Sequence, residues 1–257
     1  MSEVKFNHRI RITLSEKDVE EISLEGHSTT IMKQLLQQQE KNESLCDVEL
    51  MVSSSENRIV AHRAVLVAAS PYFARKLAEA SGGVERQEVL VKDVDHEVLL
   101  ALVRFCYTGV VKVTADNVRE LLKAADRLLL VSVVDACAKY LQRNLNPENV
   151  LGIAVLAEKY SLMHLLKAAN ACAKGQFLMV AQGEEFLEQS DDQIAELLKS
   201  DDLTVSSEEQ VFHAMMNWIR HRPSEREKFF PKLLGVIRLV DLSAKVIWIL
   251  RGFSNEF

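Results

Sequence analysis

The stretch from Leu45 to Phe73 constrains the fold more than any other part of the chain. Val48, Leu50 and Val52 alternate with Asp47, Glu49 and Met51, the period of a strand with one buried face. Ser53-Ser54-Ser55-Glu56-Asn57 is a polar, turn-like link to a second alternating run through Ile59 and Ala61, so the two runs predict a hairpin. The period then changes. Ala64, Val65, Leu66, Ala68 and Ala69 form a small-residue apolar helix, reset at Ser70-Pro71, where Ser caps and Pro suits the first helical turn.

At 257 residues the chain is long enough for about two domains, each with its own core. A composition of 48% hydrophobic and 26% charged residues is that of a folded soluble protein. The net charge of -6 argues against nucleic acid as a partner, because phosphate binding needs clustered Lys and Arg. The longest apolar runs, such as Leu128 to Val134 interrupted by Ser132, fall short of the roughly 20 residues needed to span a bilayer, so no membrane partner is expected. No basic-then-apolar leader opens the chain, and the expected compartment is the cytoplasm, with the nucleus as a second. Cys46, Cys106, Cys137 and Cys172 form no C-x-x-C pair and read as buried free thiols.

Catalytic signatures are absent. The chain has no G-x-S-x-G, H-E-x-x-H, Walker A or Rossmann glycine pattern, and Gly82-Gly83 alone cannot cradle a phosphate. His213 and His221 are eight residues apart with no ligand partners at metal spacing. Asp191-Asp192 and Asp201-Asp202 read as helix-start charges that suit the macrodipole. The expectation is a protein that is not an enzyme, with no catalytic, metal-binding or cofactor-binding residue and no cofactor.

Along the chain, residues 1–26 form an N-terminal extension in which Ile10, Ile12 and Leu14 alternate with Arg9, Arg11 and Thr13. It reads either as a frayed tail or as an added strand that pairs with a neighbouring subunit. From Ser28 to Gln39, Ile31, Met32, Leu35 and Leu36 make one helical stripe, with Gln34, Gln37, Gln38 and Lys41 on the polar outer face. Glu88 to Val91 is a third strand. A helix capped near Asp93 or Asp95 follows, with Val98, Leu99, Leu102, Val103 and Cys106 on one side and Gly109 past its end. Thr114 is the expected cap of a helix carrying Val118, Leu121, Leu122, Ala125 and Leu129, and Asn146-Pro147 the expected start of another. Everything beyond reads as helix, with capping boxes at Ser190/Gln193 and Ser206/Glu209 and a broad apolar face of Val211, Phe212, Met215, Trp218 and Ile219.

These motifs resemble the BTB (POZ) domain as it occurs in BTB-BACK-kelch proteins. The resemblance rests on Cys46-Asp47-Val48, Ala61-His62-Arg63, Ser70-Pro71-Tyr72-Phe73, Tyr107-Thr108-Gly109, Asp116-Asn117-Val118 and Leu121-Leu122-Lys123-Ala124-Ala125. In the second half, Leu145 to Asn149, Ser200 to Leu203, Ser207-Glu208-Glu209 with Val211-Phe212, and Val236 to Leu239 look like the BACK domain. The resemblance implies an α+β BTB/POZ domain, a small sheet flanked by helices, over 27–143. An all-α BACK domain follows over 144–250, incomplete at its end, then a tail over 251–257, the whole mostly helical. It further implies a homodimer, or pairing with related BTB proteins, through Ile31, Met32, Leu35, Leu36, Cys46, Asp47, His62 and Arg63. Asp47 and Arg63 would then lie in a charged pocket at the base of the dimer interface, or simply close the hairpin. Both look buried from their neighbours, and an ionised pair there needs mutual compensation.

Many members of this family dock cullin-3 and bring an unknown protein substrate to a RING ubiquitin ligase. The candidate cullin-binding residues by resemblance are Tyr72, Phe73, Leu77, Tyr107, Asp116 and Asn117. The pattern breaks at two places. Arg75-Lys76 stand where cullin-binding members usually have Ala-Met, and Ser81-Gly82-Gly83 where they have hydrophobic-x-Glu, with Val84-Glu85 nearby. The chain also runs from the BACK-like helices into Val246-Ile247-Trp248-Ile249-Leu250 with no kelch repeat, so the expectation is a BTB-BACK protein without the substrate-binding propeller. Two functions follow from the resemblance: a ligase adaptor, or a truncated dimerisation module that pairs with kelch-like relatives and regulates them without binding cullin.

Overall fold

The computed structural model describes residues 10–14, 20–41, 44–53, 55–78 and 86–238. Residues 81–85 and the apolar run 246–250 lie outside the described residues. The chain divides into two compact units, Met1–Cys137 and Ala138–Phe257.

The first unit is built on a three-stranded sheet of order β4-β3-β5. Strand β3 (Val48–Val52) is central, antiparallel to β4 (Ser55–Ala61) and parallel to β5 (Gln87–Val91). Its inward side chains Val48, Leu50 and Val52 are buried, as the alternation requires. The hairpin link is shorter than the five polar residues expected, because β4 already begins at Ser55 and a register shift at Met51/Val52 absorbs the mismatch. The N-terminal segment forms a strand, β1 (Ile10–Leu14), whose partner in this chain is β2 (Glu20–Leu24), antiparallel, in a sheet of its own. Strand β2 is not expected from the sequence, because its two apolar residues, Ile22 and Leu24, stand among Glu20, Glu21 and Ser23.

Helix α1 (His27–Glu40) packs on α4 (His96–Thr108). Between them in sequence lie α2 (Arg63–Ala69) and α3 (Pro71–Ala78). Ser70 separates these two helices and is fully buried. Its Oγ accepts from the Phe73 N–H at 3.3 Å, the cap the sequence implied, and donates to the Leu128 carbonyl at 2.6 Å. Asp95 is the cap of α4, accepting from Glu97 N–H, and Gly109 ends that helix at φ 67°.

Helices α5 (Val118–Arg127) and α6 (Val131–Arg143) follow, and the second unit continues with α7 (Val150–Lys159) and α8 (Met163–Gly175). Two helix starts differ from expectation. Thr114 does not cap α5, where Asn117 immediately before the helix holds a turn instead; Asn146 does cap the turn leading into α7, its Oδ1 accepting the N–H groups of Glu148 at 2.9 Å and Asn149 at 3.2 Å, but α7 begins only at Val150, after a second asparagine turn. Asn117 Oδ1 accepts the Thr114 N–H at 2.9 Å while its Nδ2 donates to the Lys112 carbonyl at 2.9 Å. Asn149 Oδ1 accepts the Asn146 N–H at 3.0 Å while its Nδ2 donates to the Asn144 carbonyl at 2.9 Å. Asparagine side chains compete with the helix for backbone groups, and here that delays the helix by about one turn.

The same two segments end alike. Leu129, expected on the stripe of α5, lies beyond that helix at φ 56°, with its N–H on Asp126 and that of Leu130 on Ala125. Ser161 lies beyond α7 at φ 55°, with its N–H on Glu158 and that of Leu162 on Ala157. Both are Schellman stops built without glycine. The bonds of the Asn117 and Asn149 turns and the stopping bonds of the two segments coincide after a shift of 32 residues.

The remaining helices are α9 (Phe177–Val180), α10 (Glu184–Leu187), α11 (Asp191–Leu198), α12 (Glu208–His221), α13 (Pro223–Arg226) and α14 (Phe230–Leu234), with a 3-10 turn at Glu227–Phe229. The Ser190/Gln193 capping box is present. The second box is not: α12 is capped at Ser207 without a side-chain bond, and the Ser206 N–H is taken by Gln210 Oε1 at 2.8 Å. The expected face of α12, from Val211 to Ile219, is buried. Arg226, itself buried, stacks over the Trp218 ring at 4.1 Å and donates to the carbonyls of Trp218 and Leu187, so one guanidinium closes the ends of α12 and α10.

A non-glycine residue in the left-handed region is strained. Ser161 is exposed and loses no packing on truncation. Ser161→Gly is therefore expected to raise unfolding stability by about 0.5–1 kcal/mol in urea titrations followed by circular dichroism. Leu129→Gly should gain less, because Leu129 is half-buried.

Candidate protein-interaction surface

Helix α1 presents the features of an unfinished interface. Ile31 is 44% exposed and Met32, Leu35 and Leu36 are half-buried, while the one fully buried side chain of the helix is polar, Gln39. Gln38, assigned to the outer face from sequence, instead reaches inward. The apolar stripe is thus not consumed by the chain's own core.

Below α1 lies a buried polar cluster. The Tyr107 hydroxyl, at the end of α4, accepts the His62 backbone N–H at 2.8 Å and lies 2.9 Å from His62 Nδ1. On the other side of the ring, His62 Nε2 lies 3.3 Å from Gln38 Oε1 and 3.9 Å from the Cys46 thiol. Burial pushes the Tyr107 phenol up to about 12, with the His62 N–H bond opposing the shift.

Asp47 and Arg63 are brought together, but not as a buried ion pair. Asp47 is exposed; its carboxylate accepts the backbone N–H of Arg63 at 2.7 Å and so holds the first turn of α2. The Arg63 guanidinium, half-buried, donates to the Leu77 carbonyl at 3.0 Å and to Gln87 Oε1 at 2.5 Å. Neighbouring apolar residues suggested burial for both, yet Asp47 sits at the strand entrance, where its side chain meets solvent.

The residues proposed for cullin contact divide in two. Phe73, Leu77 and Tyr107 are buried within the chain and shape the surface from beneath. Tyr72 is half-buried against Phe73, Asp116 is exposed, and Asn117 is engaged in the turn before α5. Arg75 and Lys76 are exposed on α3 beside them. The free thiols follow expectation in part: Cys46 and Cys137 are buried, Cys106 and Cys172 only partly. No group of three or more metal-ligating side chains occurs among the described residues, and no helix among them is long and apolar enough to cross a membrane.

The BTB/POZ domain model matches residues 36–145, and the BACK model, described as BTB And C-terminal Kelch, matches residues 150–249. The chain belongs to the BTB-BACK proteins of the kelch-like family. It is 40% identical to human Kelch-like protein 3 over 214 residues, which is 83% of this chain and 35% of that protein. The bovine protein gives the same figures, and mouse Kelch-like protein 3 is 41% identical over 195 residues, 76% of this chain and 33% of the relative. The chain spans about a third of the length of the curated relatives it matches. Among solved structures, the BTB domain of zebrafish PATZ1 aligns with a TM-score of 0.42 at 28% identity, covering 48% of this chain and 97% of its own.

Tyr107→Phe removes the acceptor of a buried N–H and is expected to cost about 1–3 kcal/mol in urea unfolding. Burial also pushes the Cys106 thiol from 9.0 up to about 12 and the Cys137 thiol up to about 11. The folded state holds these protons, and that of Tyr107, more tightly than the unfolded chain. Their contribution is fully present below the unfolded values and is lost as pH rises through the folded ones. The thermal midpoint should fall between pH 9 and about 12, and Cys106→Ala should flatten that fall.

Proposed function

We propose that this chain is a non-enzymatic homodimeric adaptor, a substrate-recruiting or assembly subunit of a cullin-3 RING ubiquitin ligase, working in the cytoplasm or nucleus. The half-exposed apolar stripe of α1 carries the dimer. Membership of the kelch-like family supports the ligase role. Such an adaptor makes and breaks no bonds. It raises the effective concentration of a bound protein substrate near the ubiquitin-loaded enzyme, and dimerisation adds avidity.

The second reading is a dimerisation module that pairs with kelch-like relatives, withholds their substrates and regulates them without itself binding cullin. The exposed Arg75 and Lys76 favour it. Replacing an apolar anchor by a charge removes binding energy on the order of 2 kcal/mol.

Light scattering is expected to give a dimer that Met32→Glu with Leu35→Glu converts to a folded monomer; a wild-type monomer overturns the homodimer. A cullin-3 pull-down decides between the readings. Retention by the wild type supports the adaptor. Retention only after Arg75→Ala with Lys76→Met supports the regulatory module.

A further inference from the structure

In the second unit, α7, α8 and α11 enclose a groove of about 440 Å³. Its floor is apolar, with Leu151, Ala154 and Val155 from α7, Leu166 from α8 and Leu197 from α11. Val155 is 44% exposed, although it sits one turn from the buried Leu151 on the same face of α7. The rim is acidic. Glu158, Asp192 and Glu196 stand against one cation, Lys174, which pairs with Asp202 at 3.6 Å, while Asp192 is taken by Lys232 at 2.6 Å. Among the described residues no cation lies within ion-pair distance of Glu158 or Glu196. An apolar floor beneath two such carboxylates fits an apolar segment that carries its own cations.

This chain contains such a segment. Val246-Ile247-Trp248-Ile249-Leu250 is bracketed by Lys245 and Arg251, with no carboxylate between Asp241 and Glu256. The tether is also long enough. The described residues end at Arg238, whose N–H is held by Glu208 Oε1 at 2.9 Å and whose guanidinium pairs with Asp201, just past the C-terminal end of α11. Asp202, the next residue, is the partner of Lys174 on the rim, so Arg238 stands at that end of the groove. Residues 239–244 span up to about 20 Å when extended. The groove follows α11 from Asp192 to Leu197, about 8 Å at helical rise, so the tether delivers the segment to it.

We propose that the groove is the docking site of this chain's own residues 245–251, an intramolecular contact that keeps the surface from other proteins. Val246 to Leu250 cover Val155 and Leu166. Lys245 pairs with Glu196, at the end of the groove where the chain arrives from Arg238, and Arg251 is left for Glu158. Burying the apolar run against the floor removes both from water, and the two cations answer the two carboxylates. Groove and segment belong to the same unit, and the inference does not rest on the adaptor reading.

Zero-length carbodiimide coupling of the purified full chain, read by mass spectrometry, is expected to join Lys245 to Glu196 in a product with the mass of one chain. The same link found only in a product of twice that mass puts the segment on a second copy and overturns the proposal. Trp248 supplies an independent readout, taken as the difference between the full chain and Trp248→Phe. Its emission is expected to be blue-shifted and shielded from acrylamide. Val155→Glu sets a charge in the floor at an already exposed position, where the fold tolerates it, and should shift that emission to the red. Lys245→Glu should do the same, and adding Glu196→Lys should restore the shielding, a rescue that a segment packed elsewhere does not give. Absence of the Lys245–Glu196 link, or a Trp248 emission that Val155→Glu leaves unchanged, overturns the proposal.

Discussion

The hydroxyl of Tyr107 fixes the point at which β4 becomes α2, and much of the first unit is positioned from there. It takes the His62 N–H, which no sheet or helix bond could satisfy, and orients the imidazole toward Gln38. One residue on, the Arg63 N–H is taken by Asp47 at the entrance to β3. The end of α4, the last turn of α1, the start of β3 and the first turn of α2 thus meet around two consecutive backbone amides. The Tyr107 hydroxyl covers an N–H that would otherwise be buried unpaired, and removing it costs more than the bond itself.

Helix α1 inverts the usual division between polar and apolar faces. Gln38 and Gln39 serve the interior, one on His62 and one on Val60, while Ile31 remains largely outside. A helix that spends polar residues on its own core and keeps apolar ones at the surface has apolar area left to bury elsewhere. The exposed Arg75 and Lys76 on α3 have the opposite character, a solvated cationic surface.

Sequence legibility followed the kind of signal involved. Period-two alternation in β3 was clear because Val48, Leu50 and Val52 are all buried on one side. Ser70-Pro71 and Ser190/Gln193 were clear because their capping bonds are local. Thr114 and Ser206 misled for a related reason: several polar residues stood within one turn of the helix start, and which of them holds the turn depends on distances along the folded loop. Leu129 continued the apolar stripe of α5 and nonetheless lies past its end, because the following Leu130 must reach back to Ala125. The matching device at Ser161, 32 residues later, shows the same local solution recurring in both units without a sequence identity strong enough to announce it.

The sequence by itself determined the hairpin of β3 and β4, the helical character of the second half, the caps at Ser70 and at Ser190/Gln193, and the family to which the chain belongs. These rest on periodicity and on contacts between near neighbours. Tertiary structure alone decided that Asp47 bonds a backbone amide while the Arg63 guanidinium turns to Leu77 and Gln87, that Tyr107 is committed to His62, and that Gln39 is buried with an acceptor to spare. Those outcomes join residues from 14 to 45 positions apart, and a polar side chain chooses among such partners only after packing has set which of them water can no longer reach.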